Sequence, residues 1–380
     1  MSIYLDNAAT SYPKPLSVYQ AVEHVLKEVG GSPGRASHRQ AREASAIVEA
    51  ARKKVALLFG IGNVERVSFT KNATESINLV LKGWLEPGDR VVVSGIEHNA
   101  VIRPLRRLSE DGVQVEIVPC GTDGQLELEA FEKSLDKPCR LAVLTHASNV
   151  NGALQPIDEV ARICSDRDTP LLLDAAQTGG IQTIMADQWN LGMLACSGHK
   201  SLLGPSGVGI LYIRGDLSVK PLIEGGTGSR SEEDFQPDFC PDCYESGTPN
   251  LLGIAGLAAG IDFIDEKGMM SMLQHELSLA SRLERGLMVL PGIKVYQPGV
   301  RGTSTVSFTS EGLNPADLGY LLDQGFDIAV RTGLHCAPLA HRTLGTFPEG
   351  TVRVSPGVFT TLEEIDQFVH AIETLISRRL

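Results

Sequence analysis

Residues 170–177 read PLLLDAAQ, a short apolar run that ends in an acid, two small residues and an amide. Residues 193–200 read MLACSGHK, again an apolar run followed by a polar turn. Apolar runs of this length, bounded by turn residues, are typical of strands buried in a parallel sheet. The polar residues that follow are therefore expected to gather at one edge of such a sheet.

The alternation continues on both sides of these two stretches. Further strands are predicted at residues 66–70, 90–94, 114–119, 140–145 and 208–213, and amphipathic helices at 74–84, 100–111, 126–135 and 157–166. Strands that alternate with helices predict an α/β fold, with a mostly parallel central sheet covered by helices. Ligands bind to open sheets of this kind at the carboxyl ends of the strands.

The pattern changes after the last of these strands. Residues 215–249 are rich in Gly, Pro and acids, and they are too long for an ordinary connection, which predicts a functional role. Helices are then predicted at 251–267 and 270–290, strands near Lys294, Thr305 and Asp327, and a final helix from Leu362. This half predicts a smaller α+β C-terminal domain. We assign residues 14–250 to a large domain, and residues 1–13 with 251–380 to the small one.

Composition limits the partners of the chain. Its 380 residues carry a formal net charge of −12, which argues against a nucleic acid or an anionic membrane as partner. The N-terminal residues have neither the basic region nor the apolar region that is typical of a signal peptide. The apolar stretch at 251–264 is too short to span a bilayer. Seven cysteines, an odd number, favour reduced thiols and a cytoplasmic location.

Two reactive side chains stand far apart in the sequence. Lys200 ends the second quoted stretch and precedes the turn residues 204–207, so it is expected in a tight loop, where burial would lower its pKa and let it attack an aldehyde. Cys336 lies in the polar segment 331–338, where Arg331 and His335 are expected to favour its thiolate. Together they predict pyridoxal phosphate (PLP) chemistry followed by attack of a thiol. The alternatives are a solvated lysine and a packing cysteine.

Other polar residues follow the predicted strands. Asp174 either caps the next helix or pairs with a protonated pyridine nitrogen. Residues 70–75, TKNATE, offer backbone N–H groups and hydroxyls to a phosphate, or form only a helix cap. Residues 97–99 and 148–152 add an imidazole and amides at the same predicted edge. Together with the turn that carries Lys200, these make five polar sites at successive strand ends, which favours a binding site.

The whole chain resembles a known family. The segments that carry the resemblance are residues 4–10, 73–75, 97–99, 148–150, 174–177, 197–200, 245–250 and 331–336. They appear in the order seen in cysteine desulfurases, which belong to the class V aminotransferase family of fold-type I PLP enzymes. The form Arg-Thr-Gly-x-His-Cys is similar to the group II branch, which includes selenocysteine lyase-like enzymes.

The resemblance implies a role for each matching residue. Lys200 would form the Schiff base and move a proton, Asp174 would pair with the pyridine nitrogen, and His98 would stack on the ring and take part in catalysis. The remaining cofactor contacts would come from Asn149 and Gln177 at the ring hydroxyl, from Ala73, Thr74, Ser197 and His199 at the phosphate, and from Thr248 at the phosphate of the other subunit in a homodimer. The substrate would be bound by Asn149, Arg331 and Arg353, with Arg353 on its carboxylate.

The implied reaction converts L-cysteine to L-alanine and leaves a persulfide on Cys336 for a sulfur-acceptor protein. Selenocysteine and a sulfinate remain open as substrates. The alternatives are a class V aminotransferase or C–S β-lyase in which Cys336 is incidental, and a binding protein without catalysis. Cys240 and Cys243 form a Cys-x-x-Cys outside the family pattern. Without a second pair they predict no metal site, which leaves a redox pair that accepts sulfur or two incidental loop cysteines.

Overall fold

The computed structural model describes residues 2–34 and 37–377. Within these ranges it has thirteen strands and eleven α-helices. In chain order they are β1 Ile3–Tyr4, α1 Leu16–His24, α2 Arg39–Leu58, β2 Val67–Thr70, α3 Ala73–Trp84, β3 Arg90–Ser94, α4 Asn99–Glu110, β4 Gln114–Val118, α5 Leu128–Ser134, β5 Leu141–Thr145, α6 Ile157–Ser165, β6 Leu171–Asp174, β7 Met193–Ser197, β8 Gly209–Ile213, α7 Leu251–Lys267, α8 Met269–Met288, β9 Ile293–Val295, β10 Val306–Ser310, α9 Pro315–Phe326, β11 Ile328–Ala329, β12 Arg331–Gly333, α10 Pro338–Thr343, β13 Thr351–Val354 and α11 Leu362–Ser377.

The central sheet has seven strands in the order β2-β8-β7-β6-β5-β3-β4. The strands β7, β6, β5, β3 and β4 pair in parallel, whereas β8 runs antiparallel to both β7 and β2. Every residue of β5, β6, β7 and β8 is buried. The predicted α/β fold with a mostly parallel central sheet is therefore confirmed, and each of its seven strands falls within one or two residues of the predicted position.

Helices cover both faces of this sheet, because successive residues of a strand point to opposite sides. Leu172 packs in the cluster that contains Ile77 of α3 and Leu105 of α4. Its neighbour Leu173 packs in the opposite cluster, with residues of α2, α6 and α7 such as Leu257. This arrangement leaves the carboxyl ends of the parallel strands open at the edge of the sheet.

A second, antiparallel sheet has the order β12-β13-β10-β9. Its core contains Phe308 of β10 and Phe368 of α11, together with apolar residues of α8 and α9. Strand β1, near the N-terminus, pairs in parallel with β11 and packs into the same core. Helix α7 packs instead into the core of the large sheet. The domain boundary at residue 250 stays a prediction. Met1 and residues 378–380, which we assigned to the small domain, lie outside the described ranges.

No helix within the described ranges is long and apolar enough to cross a bilayer.

The predicted functional segment between β8 and α7 has no regular secondary structure. Near its end the carboxylate of Glu245 accepts hydrogen bonds from both terminal nitrogens of Arg52, at 2.7 and 2.9 Å, and from the backbone N–H of Phe69 at 2.6 Å. The ion pair is largely withdrawn from water, with side-chain exposures of 9% for Arg52 and 15% for Glu245. The ion pair anchors the segment to α2, and the hydrogen bond from Phe69 anchors it to β2.

The variant Glu245→Ala is expected to lower the free energy of unfolding by about 3 kcal/mol, because it leaves a buried guanidinium and a backbone N–H without their partner. Urea unfolding measures this change. The control is Glu49→Ala, which removes an ion pair with Lys53 whose side chains are 64% and 61% exposed. Its expected loss is much smaller, because an ion pair between exposed side chains contributes little to stability. Equal losses in the two variants would contradict the anchoring role of Glu245.

Candidate active site

A small cavity opens at the carboxyl ends of β5, β6 and β7, beside the N-terminus of α3. Eight of the eleven residues that line it are predicted site residues: Ala73, Thr74, His98, Asn149, Asp174, Gln177, Ser197 and Lys200. They come from segments spread over more than a hundred residues, and the parallel strands bring them to one edge.

Lys200 lies in the turn after β7 and its side chain is half-buried. Burial lowers the pKa of its amine, and the positive charges of Arg353 and Arg331 lower it further, while Asp174 acts in the opposite direction. The prediction that burial lowers the pKa of this lysine is confirmed. A larger fraction of the amine is therefore neutral at physiological pH than for an exposed lysine, which favours nucleophilic attack on a carbonyl.

Asp174 ends β6 and is only 4% exposed. Its Oδ1 accepts a hydrogen bond from the backbone N–H of Ala176 at 2.9 Å. Burial raises the pKa of this carboxyl, whereas the Ala176 N–H and the charge of Lys200 lower it. A positively charged ring nitrogen in the cavity would offset the cost of burying this carboxylate.

The start of α3 gathers donors that suit an anion. Asn72 caps the helix, since its Oδ1 accepts from the backbone N–H of Glu75 at 2.9 Å. The backbone N–H of Ala73 is 3.4 Å from the Ser197 hydroxyl. Two residues after Ser197, the Nδ1 atom of His199 is buried and has no hydrogen-bond partner in the described part of the chain. Backbone N–H groups at a helix start, together with hydroxyl and imidazole groups, are suited to bind a phosphate.

His98 caps α4 at the rim of the cavity. Its Nδ1 accepts a hydrogen bond from the backbone N–H of Ala100 at 3.0 Å, which leaves the proton of the neutral ring on Nε2. Burial lowers the pKa of His98 to about 4, and the charges of Lys200 and Arg331 lower it further. The imidazole is therefore neutral at physiological pH and can lie against an aromatic ring.

The segment that carries Cys336 lies against this cavity. The side chain of Cys336 is exposed, and the Nη2 atom of Arg331 is 3.5 Å from its Sγ. The backbone carbonyl of Cys336 accepts from the N–H of Asn99, the residue after His98, at 2.8 Å. The backbone of Cys336 has φ of +58°, a conformation uncommon for residues other than glycine. The structure thus places an exposed thiol, with a guanidinium beside it, next to the cavity.

His335 holds this segment in place. Its ring Nε2 is 3.0 Å from the Thr351 hydroxyl, and its backbone carbonyl accepts from the side-chain amide of Asn149 at 2.7 Å. Burial keeps the pKa of His335 well below its usual value, so its ring is neutral. The expectation that His335 favours the Cys336 thiolate through positive charge is therefore wrong, since a buried imidazole anchored to a hydroxyl carries none. The effect of Arg331 on the Cys336 thiol stays a prediction.

Arg353, on β13, is completely buried. One terminal nitrogen donates to Oδ1 of Asp6 at 2.7 Å, and the other donates to the backbone carbonyl of Asn149 at 3.0 Å. Among the residues that the structure describes, its Nε atom has no hydrogen-bond partner. The charge of Arg353 lowers the pKa values of both Lys200 and His98. Arg331 pairs with Arg353 across β12 and β13, so the small sheet supplies two positive charges to the cavity.

Gln177 and Thr248 differ from the other predicted residues in their surroundings. Gln177 lines the cavity, but its side-chain amide donates to the carbonyl of Ala8 at 3.1 Å. Thr248 is exposed and lines a separate cavity with Thr70 and Lys71, outside the one that contains Lys200. A site shared between two subunits would need such an exposed position, and this role of Thr248 stays a prediction.

The sequence reasoning missed two acids. Asp6 is the ion-pair partner of Arg353, 347 residues away in the chain. Glu97 is fully buried, and its Oε1 accepts from the Thr145 N–H at 2.9 Å and from the Ser94 hydroxyl at 2.5 Å. Burial raises the pKa of Glu97 to about 8. Both acids stand in motifs quoted above, Asp6 two residues after β1 and Glu97 three residues after β3, and this position was the available signal.

The comparison with known proteins agrees with this geometry. The sequence profile described as Aminotransferase class-V matches residues 3–368. The chain belongs to the class V aminotransferase family. A probable cysteine desulfurase of Methanothermobacter thermautotrophicus is 34% identical over 98% of this chain and 94% of that relative. A cysteine desulfurase of Haloferax volcanii is 33% identical over 98% of this chain and 88% of that relative.

Solved structures of this class V family have the same fold. The apo structure of a cysteine desulfurase from Thermococcus onnurineus has a TM-score of 0.93 at 34% identity, and it covers 99% of this chain and 95% of that one. A cysteine desulfurase of Escherichia coli, in an S-sulfonic acid form, has a TM-score of 0.89 at 28% identity, with 99% and 95% covered. The chain therefore has the fold of the fold-type I PLP enzymes, and members of the class V family depend on PLP as a group.

Proposed function

We propose that this chain is a PLP-dependent cysteine desulfurase that converts L-cysteine to L-alanine and leaves the sulfur on Cys336 as a persulfide. One observation carries the proposal. The cavity that contains Lys200 and Asp174 adjoins an exposed thiol, because the backbone of the Cys336 segment is hydrogen-bonded to Asn99 and Asn149. An amine suited to carbonyl chemistry and a sulfur nucleophile therefore lie at one site.

The residues present fit PLP. The unpartnered, buried Nδ1 of His199 and the N–H groups of α3 suit its phosphate, and the buried carboxylate of Asp174 suits its protonated ring nitrogen. Lys200 would hold the cofactor through an imine, and the neutral ring of His98 would lie against it. Bound PLP supplies an electron sink, which weakens the bond from the α-carbon of the amino acid to its hydrogen and helps to loosen the bond from Cβ to sulfur.

The side chains of this chain perform the remaining steps. Lys200, with its lowered pKa, accepts the α-proton of the substrate and later returns a proton to the product. The Cys336 thiolate, beside the guanidinium of Arg331, attacks the substrate sulfur. The bond from Cβ to sulfur breaks and a sulfur–sulfur bond forms. One L-cysteine and one thiol thus become one L-alanine and one persulfide, so the atoms balance.

Arg353 would bind the substrate carboxylate. Its charge acts on the cavity, and its Nε is not used by the protein. The variant Arg353→Lys is expected to raise KM for L-cysteine about 100-fold, with a smaller effect on kcat, because lysine cannot form two parallel hydrogen bonds with a carboxylate. Steady-state kinetics of alanine formation measure both constants.

The matched control for Arg353→Lys is Arg301→Lys. Arg301 also belongs to a largely buried ion pair, with Glu284, but its charge is not among those that act on Lys200 and His98. This variant is expected to lose stability and to keep its KM. A KM that rises equally in the two variants would show that the effect of Arg353→Lys is structural and would overturn the carboxylate role.

The partners follow from the same proposal. We expect a homodimer in which Thr248 reaches the phosphate site of the other subunit, supported by its exposed position beside Thr70 and Lys71, next to the start of α3. The persulfide would pass to a sulfur-acceptor protein, and L-selenocysteine is a second candidate substrate. All seven cysteines are free thiols, which supports a cytoplasmic location.

The experiment mixes the purified holoenzyme with L-cysteine and, separately, with L-selenocysteine. We expect alanine from L-cysteine and a mass increase of one sulfur atom on the peptide that contains Cys336. Pyruvate and ammonia in place of alanine would indicate a C–S β-lyase. Transfer of the amino group to a 2-oxo acid would indicate an aminotransferase, and failure to bind PLP would indicate a non-catalytic relative.

A further inference from the structure

Cys240 and Cys243 lie in a turn between β8 and α7. Their Sγ atoms are 3.4 Å apart, although both are free thiols. The turn closes through two backbone hydrogen bonds, from Cys243 N–H to the Phe239 carbonyl at 2.9 Å and from Tyr244 N–H to the Pro241 carbonyl at 3.0 Å. Neither cysteine lines the cavity that contains Lys200.

The surrounding residues hold the two sulfurs together. The side-chain amide of Gln236 donates to the Cys243 carbonyl at 3.4 Å and to the Ser246 hydroxyl at 2.9 Å. The Tyr244 hydroxyl donates to the Val219 carbonyl at 3.1 Å, and the next residue is the anchored Glu245. Because the turn is fixed on both sides, the two thiols meet at a high effective concentration, which favours an intramolecular bond.

The two thiols have different environments. Cys240 is partly exposed, and a terminal nitrogen of Arg66 is 3.7 Å from its sulfur. Cys243 is only 6% exposed. The hydrogen bond from the Cys243 thiol, together with the charge of Arg66, lowers the pKa of Cys240 to about 7, and the same contact and burial raise the pKa of Cys243. An accessible, acidic thiol beside a buried partner is the arrangement of an attacking and a resolving cysteine.

Other thiols of the chain differ from Cys240. Burial raises the pKa values of Cys120, Cys139, Cys164 and Cys196. A metal site is also not indicated, because no cluster of three or more His, Cys, Asp or Glu ligands occurs among the residues that the structure describes. Of the two interpretations of Cys-x-x-Cys left open by the sequence, the geometry favours redox chemistry over incidental loop cysteines.

We propose that Cys240 and Cys243 form a second reactive site, a reversible dithiol–disulfide pair that takes low-molecular-weight disulfides as its oxidant. The Cys240 thiolate attacks one sulfur of the small disulfide, which forms a mixed disulfide and releases one thiolate. The Cys243 thiol then loses its proton and attacks the Cys240 sulfur. This step forms the Cys240–Cys243 bond and releases the second small thiol. Two protein thiols are oxidised and one small disulfide is reduced.

This site needs neither PLP nor Cys336, so its test is independent of the proposed function. The reduced holoenzyme is treated with glutathione disulfide, the free thiols are alkylated, and the peptides are mapped by mass spectrometry without reduction. We expect a Cys240–Cys243 disulfide that dithiothreitol reverses. Cys243→Ser should stop at a glutathione adduct on Cys240, and Cys240→Ser should react at Cys243 at least about tenfold more slowly.

The control variant is Cys139→Ser, which changes a partly buried thiol whose pKa burial raises. It should form the Cys240–Cys243 disulfide at the wild-type rate. The pH dependence of alkylation adds a second measurement, with a midpoint for Cys240 expected near about 7. Wild-type protein that forms no disulfide at this turn, or Cys243→Ser that carries no adduct on Cys240, would overturn the proposal.

Discussion

The variant Cys336→Ser is expected to bind PLP like the wild-type chain, to form no persulfide, and to produce alanine from L-cysteine at least about 100-fold more slowly. The physical reason is that a serine hydroxyl is not ionised at physiological pH and is a poor nucleophile toward sulfur. The side chain of Cys336 is exposed and its Sγ lies 3.5 Å from Nη2 of Arg331, so we expect the substitution to leave the fold intact. Alanine formation and the absorbance of the bound cofactor are measured on the same sample.

The control for this variant is Cys139→Ser, which removes a different, partly buried thiol whose Sγ lies 3.1 Å from the Leu141 carbonyl. It should form alanine and the persulfide at wild-type rates. If Cys336→Ser released alanine and sulfide as fast as the wild-type chain, another nucleophile would take the sulfur. The assignment of Cys336 would then be abandoned, whereas the role of Lys200 would remain.

The second large effect is expected for Lys200→Ala. Without the ε-amine the chain has no group to hold the cofactor covalently or to move the α-proton, and alanine formation should fall at least about 1,000-fold. The phosphate and ring contacts near α3 and Asp174 remain, so the variant should still bind PLP, but without the absorbance band of a protonated imine. Absorbance spectra and alanine formation measure the two consequences separately.

Lys14 provides a matched control for Lys200. It is a second lysine whose pKa burial lowers, to about 8, and its amine donates to the His199 carbonyl at 2.8 Å. The variant Lys14→Ala should retain the imine at Lys200, even if it binds PLP more weakly. An imine that disappears in Lys14→Ala and persists in Lys200→Ala would reverse the assignment of the two lysines.

Much of the large sheet could be predicted from the sequence, because its strands are buried on both faces and stand out as short apolar runs. Helix α2 could not, although Ala41, Ala44, Val48, Ala51 and Val55 have helical spacing and are buried. Alanine contributes a weak apolar signal, so a helix that packs through small residues is easily overlooked. The helix is nevertheless essential to the layout, since its Arg52 anchors the segment before α7.

In the small sheet, the sequence could not predict a contact between residues far apart in the chain. Strand β13 is completely buried although it contains Arg353, a residue that rarely lies in a core. The ion pair with Asp6 makes this burial possible, and that partner comes from the other end of the chain. A contact over such a distance leaves no local pattern, so the sequence alone could not show that these two residues meet.

The sequence predicted which residues form the candidate site better than it predicted the contacts between them. The order of motifs identified eight residues that line one cavity. It did not show that the Asn149 amide binds the His335 carbonyl, or that the His335 ring is buried against Thr351. These contacts depend on how the small sheet packs against the large one. The predicted charge effect of His335 was wrong for this reason.

The most direct test of the account is borohydride reduction of the PLP-loaded chain, followed by peptide mapping. Reduction converts an imine to a stable amine, so the cofactor stays attached to the residue that held it. We expect a single reduced adduct, on the peptide that contains Lys200. An adduct on another side chain such as Lys14, or no adduct at all, would contradict it.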